Sequence, residues 1–432
     1  MKSANQMTAL PSWLGAGATW SLARAAIVMA LAASSSARAD VVTDWNATAL
    51  GVTTLSAPPA ELRALALTHA AMFDAVNAIT RSHAPYLVQP TAPADSSADA
   101  AAASAAHGVL LWLFPGAKTP LDAALAASLG KLADGAAKDG GLALGKEVAG
   151  KYIAARTGDG IDRKPDYRAG SGVGVFQPVA PGNFGSVIWA DVKPFVLASA
   201  GEVTAPGPLA FDSAQYAKEL DEVRRLGGRD SRERSADQTA AAIFSMIKPA
   251  QLFAPAARAA VSAKGSSVVD NARTFALMHM AATDAYIAGW AIKKQHAVWR
   301  PEAAIRQAAN NPDPKWQPLL NTPDHPDYVS GHCSTSGASA QVLRMVLGND
   351  GVPFTATMGG NLTRSYQNLT QAELEIGDAR VWAGIHTRTA DEHGGILGRK
   401  IGELAVQRLM KPLPKVAESQ SGAVASAHRV GG

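Results

Sequence analysis

Three short blocks in the C-terminal half of this 432-residue chain gather side chains that bind and protonate oxyanions. The first runs from Lys293 to Arg300-Pro301. Proline ends the preceding helical pattern just after Arg300 and so fixes where the guanidinium leaves the main chain. Lys293 lies about two turns upstream on a similar face. An ammonium and a guanidinium placed in this way clamp several oxygens of one tetrahedral anion. Taken alone, such a pair more often decorates a solvated basic face.

The second block is Tyr328-Val329-Ser330-Gly331-His332, which follows the turn-rich Thr322-Pro323-Asp324-His325-Pro326-Asp327 and precedes an apolar helical run. That order sets it at a helix N-terminus. A serine hydroxyl, a glycine amide open to close approach and the free N–H groups of a helix start form an oxyanion cradle. His332 is placed for proton transfer at the same anion. In isolation, a serine N-cap beside a polar histidine is the plainer reading. The third block is Arg380-Val381-Trp382-Ala383-Gly384-Ile385-His386. Arg380 and His386 straddle one ligand if the helix between them ends near Gly384; otherwise a histidine after an apolar helix is ordinary structure.

Together and in this order, the blocks resemble the vanadium-dependent haloperoxidases and the phosphatidic-acid phosphatase type 2 superfamily that contains them. The resemblance covers Asp284 to Gly395, and the text from Trp299 to Ile305 and from Trp316 to Tyr328 looks most like the bacterial haloperoxidase branch. It implies an all-α, multi-helix bundle of the haloperoxidase/acid phosphatase type, with one vanadate per chain. Lys293, Arg300, Ser330, Gly331 and Arg380 would hold the equatorial oxygens and His386 would bond the central atom. His332 would be the acid/base residue at the same cofactor, and Lys293 would act with the two histidines in catalysis. Trp290 and His325 fall where the family places residues beside the halide pocket, although Trp290 also fits ordinary helix core. Asp284, on the same helix as Trp290, is spaced to orient an arginine. Three positions depart from the pattern: Val329 for a proline, Ala379 for a serine, and Ala390 where an aspartate commonly follows the last histidine by four. The third matters most, because a carboxylate normally fixes the tautomer of a ligating imidazole. Asp391 is the nearby substitute.

Two chemistries fit such a pocket. A haloperoxidase would oxidise halide, with bromide or iodide favoured, using hydrogen peroxide to give a hypohalous species or a halogenated small organic molecule. An acid phosphatase would hydrolyse phosphate monoesters through a phosphohistidine. Trp290, His325 and the segment between Arg300 and Ser330 favour the first. Simple anion capture without turnover needs donors and no base, so the two histidines argue against a binding protein.

The rest of the chain must fold to position these groups. Residues 1–39 have no acidic side chain, carry Lys2, Arg24 and Arg38, and hold an apolar run from Ala25 to Ala33 before Ala37-Arg38-Ala39. This reads as an export signal, with a periplasmic or secreted product starting at Asp40. The run is shorter than the roughly 20 residues a membrane span needs. Removing it takes away three positive charges and lowers the formal net charge from +4 to +1, so neither nucleic acid nor an anionic membrane is an expected partner. Cys333 is the only cysteine, which excludes an intramolecular disulfide.

Helical periodicity predicts helices over about 61–81, 100–114, 120–137, 142–157, 213–226, 236–247, 270–294, 334–347, 371–385 and 390–410. Residues 160–211, rich in Gly, Pro and aromatic side chains, read as a long ordered excursion over the helical body. No internal repeat is evident. The expected organisation is one helical domain over 40–412, with the oxyanion site in 284–395 and a disordered tail over 413–432. A homodimer is implied by the resemblance alone.

Overall fold

Six helices start where the side chain of Asp40, Ser97, Ser213, Ser235, Ser267 or Asn368 accepts the amide three residues on. This satisfies one of the N–H groups that a helix start leaves without a partner. The computed structural model describes residues 40–164, 167–168, 170–177, 186–307 and 311–414, so the expected export signal and residues 415–432 lie outside the described residues. Within them are thirteen α-helices and one two-stranded hairpin. The N-terminal half holds α1 (Val41–Val52), α2 (Pro58–Thr80), α3 (Ala98–Leu113), α4 (Lys118–Leu129) and α5 (Ala136–Arg156). Then come α6 (Ala214–Gly227), α7 (Ala236–Phe244) and α8 (Pro249–Lys264). The C-terminal half holds α9 (Val268–His296), α10 (Pro301–Arg306), α11 (Gly331–Leu347), α12 (Leu369–Trp382) and α13 (Arg388–Arg408).

The all-α class follows from the sequence, but α1, α8, α10 and the hairpin were not anticipated. Pro255 sits inside α8 and masked its periodicity. In the hairpin, Phe354–Met358 pairs antiparallel with Leu362–Tyr366 around Gly359-Gly360, a turn signal the sequence reading passed over. No described helix is long and apolar enough to cross a membrane.

The packing reveals an internal repeat that the sequence conceals. Helices α2 and α9 lie against one another, and each carries a histidine five residues before an Asp-Ala pair: His69 with Asp74-Ala75, and His279 with Asp284-Ala285. The two imidazoles stack at 5.1 Å. The Ser97 amide donates to Ala137 O at 2.8 Å, as that of Ser330 donates to Ala390 O at 2.9 Å. Gly141 and Gly145 of α5 let that helix sit on the Ser97 and Ala101 carbonyls, as Gly394 and Gly398 of α13 do on those of Ser330 and Ser334. An added Cβ at Gly398 would overlap the Ser334 carbonyl oxygen, so this close approach requires glycine. Only positions at helix crossings are shared. Ala98 and Asp99 stand where the second half has Gly331 and His332.

The histidine stack predicts a pH response. Asn46 Nδ2 donates to Nε2 of His69 at 3.0 Å and of His279 at 3.2 Å, and Arg258 Nη1 donates to Asn46 Oδ1 at 2.9 Å. Burial holds both imidazoles below the usual histidine range, His279 at about 3. Because the folded state needs neutral rings, their contribution is complete above about pH 6.5 and declines as pH falls, while the unfolded chain takes up protons. Urea unfolding at stepwise lower pH should lose roughly 1.4 kcal/mol per unit per histidine below about pH 6.5. A His69→Gln/His279→Gln variant should show a shallower slope; an unchanged slope would place the acid sensitivity elsewhere.

Within the expected excursion, the described residues contain no α-helix, only the single-turn helix Val187–Asp191. Asp284 anchors this segment, and the expectation that it orients an arginine is corrected. Its carboxylate accepts the amides of Phe195, Val196 and Leu197 at 2.7, 2.7 and 2.9 Å. Spacing along a helix suggested an arginine partner and could not show which loop would bring the carboxylate its donors. Asp74 plays the same part for the amides of Tyr86, Leu87 and Val88.

Candidate oxyanion site

Lys293 lies in the last turn of α9, which ends at His296; Ala297 then turns the chain in a left-handed conformation toward Arg300, the residue capping α10. Ser330 caps α11, so Gly331 and His332 form its first turn. Arg380 is in the last turn of α12, and Gly384, at φ +80°, turns the chain so that His386 precedes α13. A Cβ on Gly384 would overlap the Gly227 carbonyl, so the turn is reserved for glycine. Lys293, Arg300, Ser330, Arg380 and His386 are all buried, and Lys293, Arg300 and Arg380 each perturb the ionisation of both His332 and His386. The three blocks therefore meet in one interior site. Beside Gly331 the nearest group to an added Cβ is Tyr286 Cε2 at 3.7 Å, which leaves its amide open to close approach.

His386 Nδ1 lies 2.6 Å from Asp327 Oδ1. Read as Nδ1–H donating to the carboxylate, this contact leaves Nε2 unprotonated, an acceptor 3.1 Å from Arg300 Nη1. Asp327 Oδ2 also accepts the Thr387 hydroxyl at 2.8 Å. The orienting carboxylate is thus Asp327, and Asp391 does not take that place. Asp391 Oδ1 accepts the Cys333 thiol at 3.1 Å. The sequence reading missed Asp327 because it lies 59 residues from His386, inside a segment read only as a turn.

The cations are partly spoken for. Lys293 Nζ donates to the carbonyls of Pro326 at 2.6 Å and Asp327 at 3.0 Å, which leaves one of three N–H groups. Arg300 donates through Nε to His325 O at 2.6 Å and through Nη1 to Ile385 O at 2.6 Å, while Nη2 lies 2.8 Å from His325 Nδ1. The Trp290 ring packs against the His325 ring at 5.3 Å, so the two residues expected beside a halide pocket are neighbours. Trp290 is also core, packed with Phe176, Ile188 and Trp189.

Burial pushes the basic groups down, Arg300 to about 10 and Lys293, Arg380, His332, His325 and His386 below their ordinary ranges; it pushes Asp327 up to about 6 and Asp391 up to about 8. Three buried cationic side chains facing carboxylates that resist ionisation form a site short of negative charge.

Unpartnered atoms show where that charge belongs. Among the described residues, eight buried side-chain polar atoms have no hydrogen-bond partner of good geometry, and four of them are Ser330 Oγ, His332 Nε2, Arg380 Nε and Asp391 Oδ2. The Ile247 carbonyl acts on the His332 ring, whose unpartnered Nε2 remains as a base. Orphaned buried groups are costly, and clustering at one place marks a ligand position. Two hydroxyl or N–H donors and the unpartnered His332 nitrogen beside unprotonated His386 Nε2 suit a tetrahedral oxyanion such as vanadate or phosphate.

Glu219 of α6 is a further positioning residue absent from the sequence reading. Its Oε2 accepts the Thr389 amide at 2.9 Å and its Oε1 the Thr389 hydroxyl at 2.7 Å. Arg388 is gripped by Glu222 Oε1 at 2.7 Å and Asp378 Oδ1 at 2.5 Å. With Asp327 on Thr387, every residue of the turn after His386 is held by a carboxylate from another element, which caps α13 from outside. Glu219→Gln should keep the fold but loosen this turn. Vanadate affinity should fall several-fold while Glu219→Asp recovers part of it, as read by equilibrium dialysis; an unchanged affinity would limit Glu219 to a structural cap.

A helical bundle that converges a lysine, two arginines, a helix-capping serine and two histidines held neutral by burial on a charge-deficient interior point has the donor set of an oxyanion site. Residues 273–414, which contain all the anticipated site residues, match the family model for the VCPO second helical-bundle domain. The chain is 38% identical over 87 residues to the vanadium chloroperoxidase of Curvularia inaequalis, 17% of this chain and 14% of that protein, so the match spans about a seventh of the relative's length. Its fold is similar to that of a bacterial vanadium-dependent iodoperoxidase, with TM-score 0.74 and 24% identity over 86% of this chain and 97% of the other. It is also similar to a holo-type bacterial vanadium-dependent chloroperoxidase, with TM-score 0.66 and 19% identity over 82% and 93% of the two chains. Residues 273–414 thus resemble a domain of the vanadium haloperoxidases, and the described chain shares the helical-bundle fold of these structures. Glu219, Ser245 and Ile247, which reach the site from α6 and the α7–α8 region, lie outside the matched span.

Proposed function

We propose that this protein is a vanadate-dependent haloperoxidase that oxidises halide, bromide or iodide in preference to chloride, with hydrogen peroxide. The observation that carries the reading is His386, held through Nδ1 by Asp327 with Nε2 unprotonated and facing Arg300 Nη1, among the unpartnered Ser330 Oγ, His332 Nε2 and Arg380 Nε. Lys293, Arg300, Ser330, Gly331 and Arg380 would hold the vanadate oxygens and His386 its central atom. When bound, vanadate supplies Lewis-acid activation of peroxide without changing oxidation state. His332 Nε2 takes up and returns the proton of the entering peroxide. Lys293 contributes its remaining N–H to the developing negative charge, and the buried arginines hold that charge without reorganisation. Trp290 and His325 would border the halide. The composition of residues 1–39 supports export to the periplasm or medium.

The test is an assay of the full chain loaded with orthovanadate in phosphate-free buffer. Peroxide-dependent formation of triiodide and of brominated dye is expected. Hydrolysis of p-nitrophenyl phosphate by the vanadate-free protein, inhibited by vanadate and without halide oxidation, would assign the same pocket to a phosphatase.

A further inference from the structure

One wall of the oxyanion site is also the floor of a second space. Arg300, only 2% exposed, borders a cavity of ≈ 680 Å³ whose other lining residues include Phe176, Gln177, Arg229, Gln317 and Asn321. Hydrogen peroxide and halide are each on the order of 30 Å³, the share of a water molecule in the liquid. The cavity therefore exceeds their needs many times over and falls in the range that holds an organic molecule.

Its charges decide which kind. Arg306 is committed, with Nη2 to Glu302 Oε1 at 2.7 Å and Nε to Trp316 O at 2.9 Å. Glu302 also accepts the Thr322 hydroxyl at 2.5 Å. Arg300 spends its donors on His325, Ile385 and His386. Arg229 differs: its main-chain amide donates to Gln317 O at 2.8 Å, which fixes its place on the rim, while its side chain is exposed and makes no hydrogen bond or ion pair with the described residues. The remaining wall mixes amides and the carboxylate of Asp324, which acts electrostatically on Arg300, with the Phe176 ring, Ala303 and Pro318. A guanidinium fork on the rim of a cavity that buried Arg300 also lines, with Phe176, Ala303 and Pro318 as apolar surface, matches an aromatic ring carrying a carboxylate.

We propose that this cavity binds an electron-rich aromatic carboxylate, anchored through Arg229, and holds its ring beside the oxyanion site for halogenation. The inference rests on the haloperoxidase reading for the reaction, though not for the binding. In the step, the ring carbon forms a bond to the halogen of hypohalous acid, the halogen–oxygen bond breaks, and the departing hydroxide combines with the ring proton as water. Holding the ring there competes with escape of free hypohalous acid.

Binding of 4-hydroxybenzoate and of neutral phenol by the vanadate-free full chain is measured by calorimetry for wild type, Arg229→Ala and Arg229→Lys. Tight preference for the carboxylate is expected in wild type, a tenfold or greater loss in Arg229→Ala and partial retention in Arg229→Lys, with phenol unaffected. With vanadate, Arg229→Ala should raise KM for 4-hydroxybenzoate by the same factor and leave triiodide formation unchanged. Equal binding of the two probes by wild type, or an unchanged affinity in Arg229→Ala, overturns the inference. Absence of triiodide from wild type refutes the haloperoxidase reading instead, while the calorimetric comparison still decides the cavity.

Discussion

His332→Ala should cut peroxide-dependent halide oxidation by about 100- to 10,000-fold, the range for losing a positioned acid/base group, and leave vanadate bound. The split follows from geometry. His332 Nε2 is buried without a partner beside the Ile247 carbonyl, so the residue offers a base and does not hold the clamp together. Lys293, Arg300, Ser330, Arg380 and His386 stay in place when it is removed. Equilibrium dialysis and steady-state kinetics on one preparation separate the two properties. A variant that lost vanadate and activity together would show that His332 serves chiefly to bind, and one that kept full activity would remove it from the mechanism.

The second large effect is expected at Asp327. Replacement by asparagine keeps the shape but removes the negative acceptor facing His386 Nδ1 at 2.6 Å. The imidazole is then free to place its proton on Nε2, the nitrogen needed as a ligand, and the Thr387 hydroxyl loses a charged acceptor. Loss of such a partner typically costs about 10- to 100-fold in metal affinity. Vanadate affinity of Asp327→Asn should fall within that range, while Asp391→Asn, altered at a carboxylate bonded to Cys333, should fall less. The reverse order would return the orienting role to Asp391. Phosphate, whose binding does not depend on a bond from imidazole to the central atom, should be affected less than vanadate in Asp327→Asn; equal losses would place the effect on the clamp as a whole.

The difference between these two carboxylates shows what the chain order carries. Lys293, Arg300, Ser330, His332, Arg380 and His386 were legible because each block is marked by local geometry: a proline after Arg300, a helix start after Ser330, a glycine turn before His386. Helix class was legible for the same reason, since period and capping are properties of a few adjacent residues. Asp284 was visible as an acid on a helix, yet its partners are the amides of Phe195, Val196 and Leu197, nearly 90 residues away. Glu219 gave no local signal at all, because its meaning comes from α6 lying beside the start of α13. The repeat across the two halves escaped notice because only the residues where helices touch are shared.

The sequence by itself therefore determined the chemistry available: three cations, two imidazoles and a helix N-terminus in the order of the vanadium haloperoxidases, on amphipathic helices able to bury them. Only the tertiary structure decided which carboxylate sets the His386 tautomer, which acids cap the turn behind it, and that a roomy cavity with Arg229 on its rim opens on Arg300. The physical reason is range. Helix periodicity and capping act within a turn or two, whereas burial, charge compensation and close backbone approach at glycine depend on which distant segments pack together.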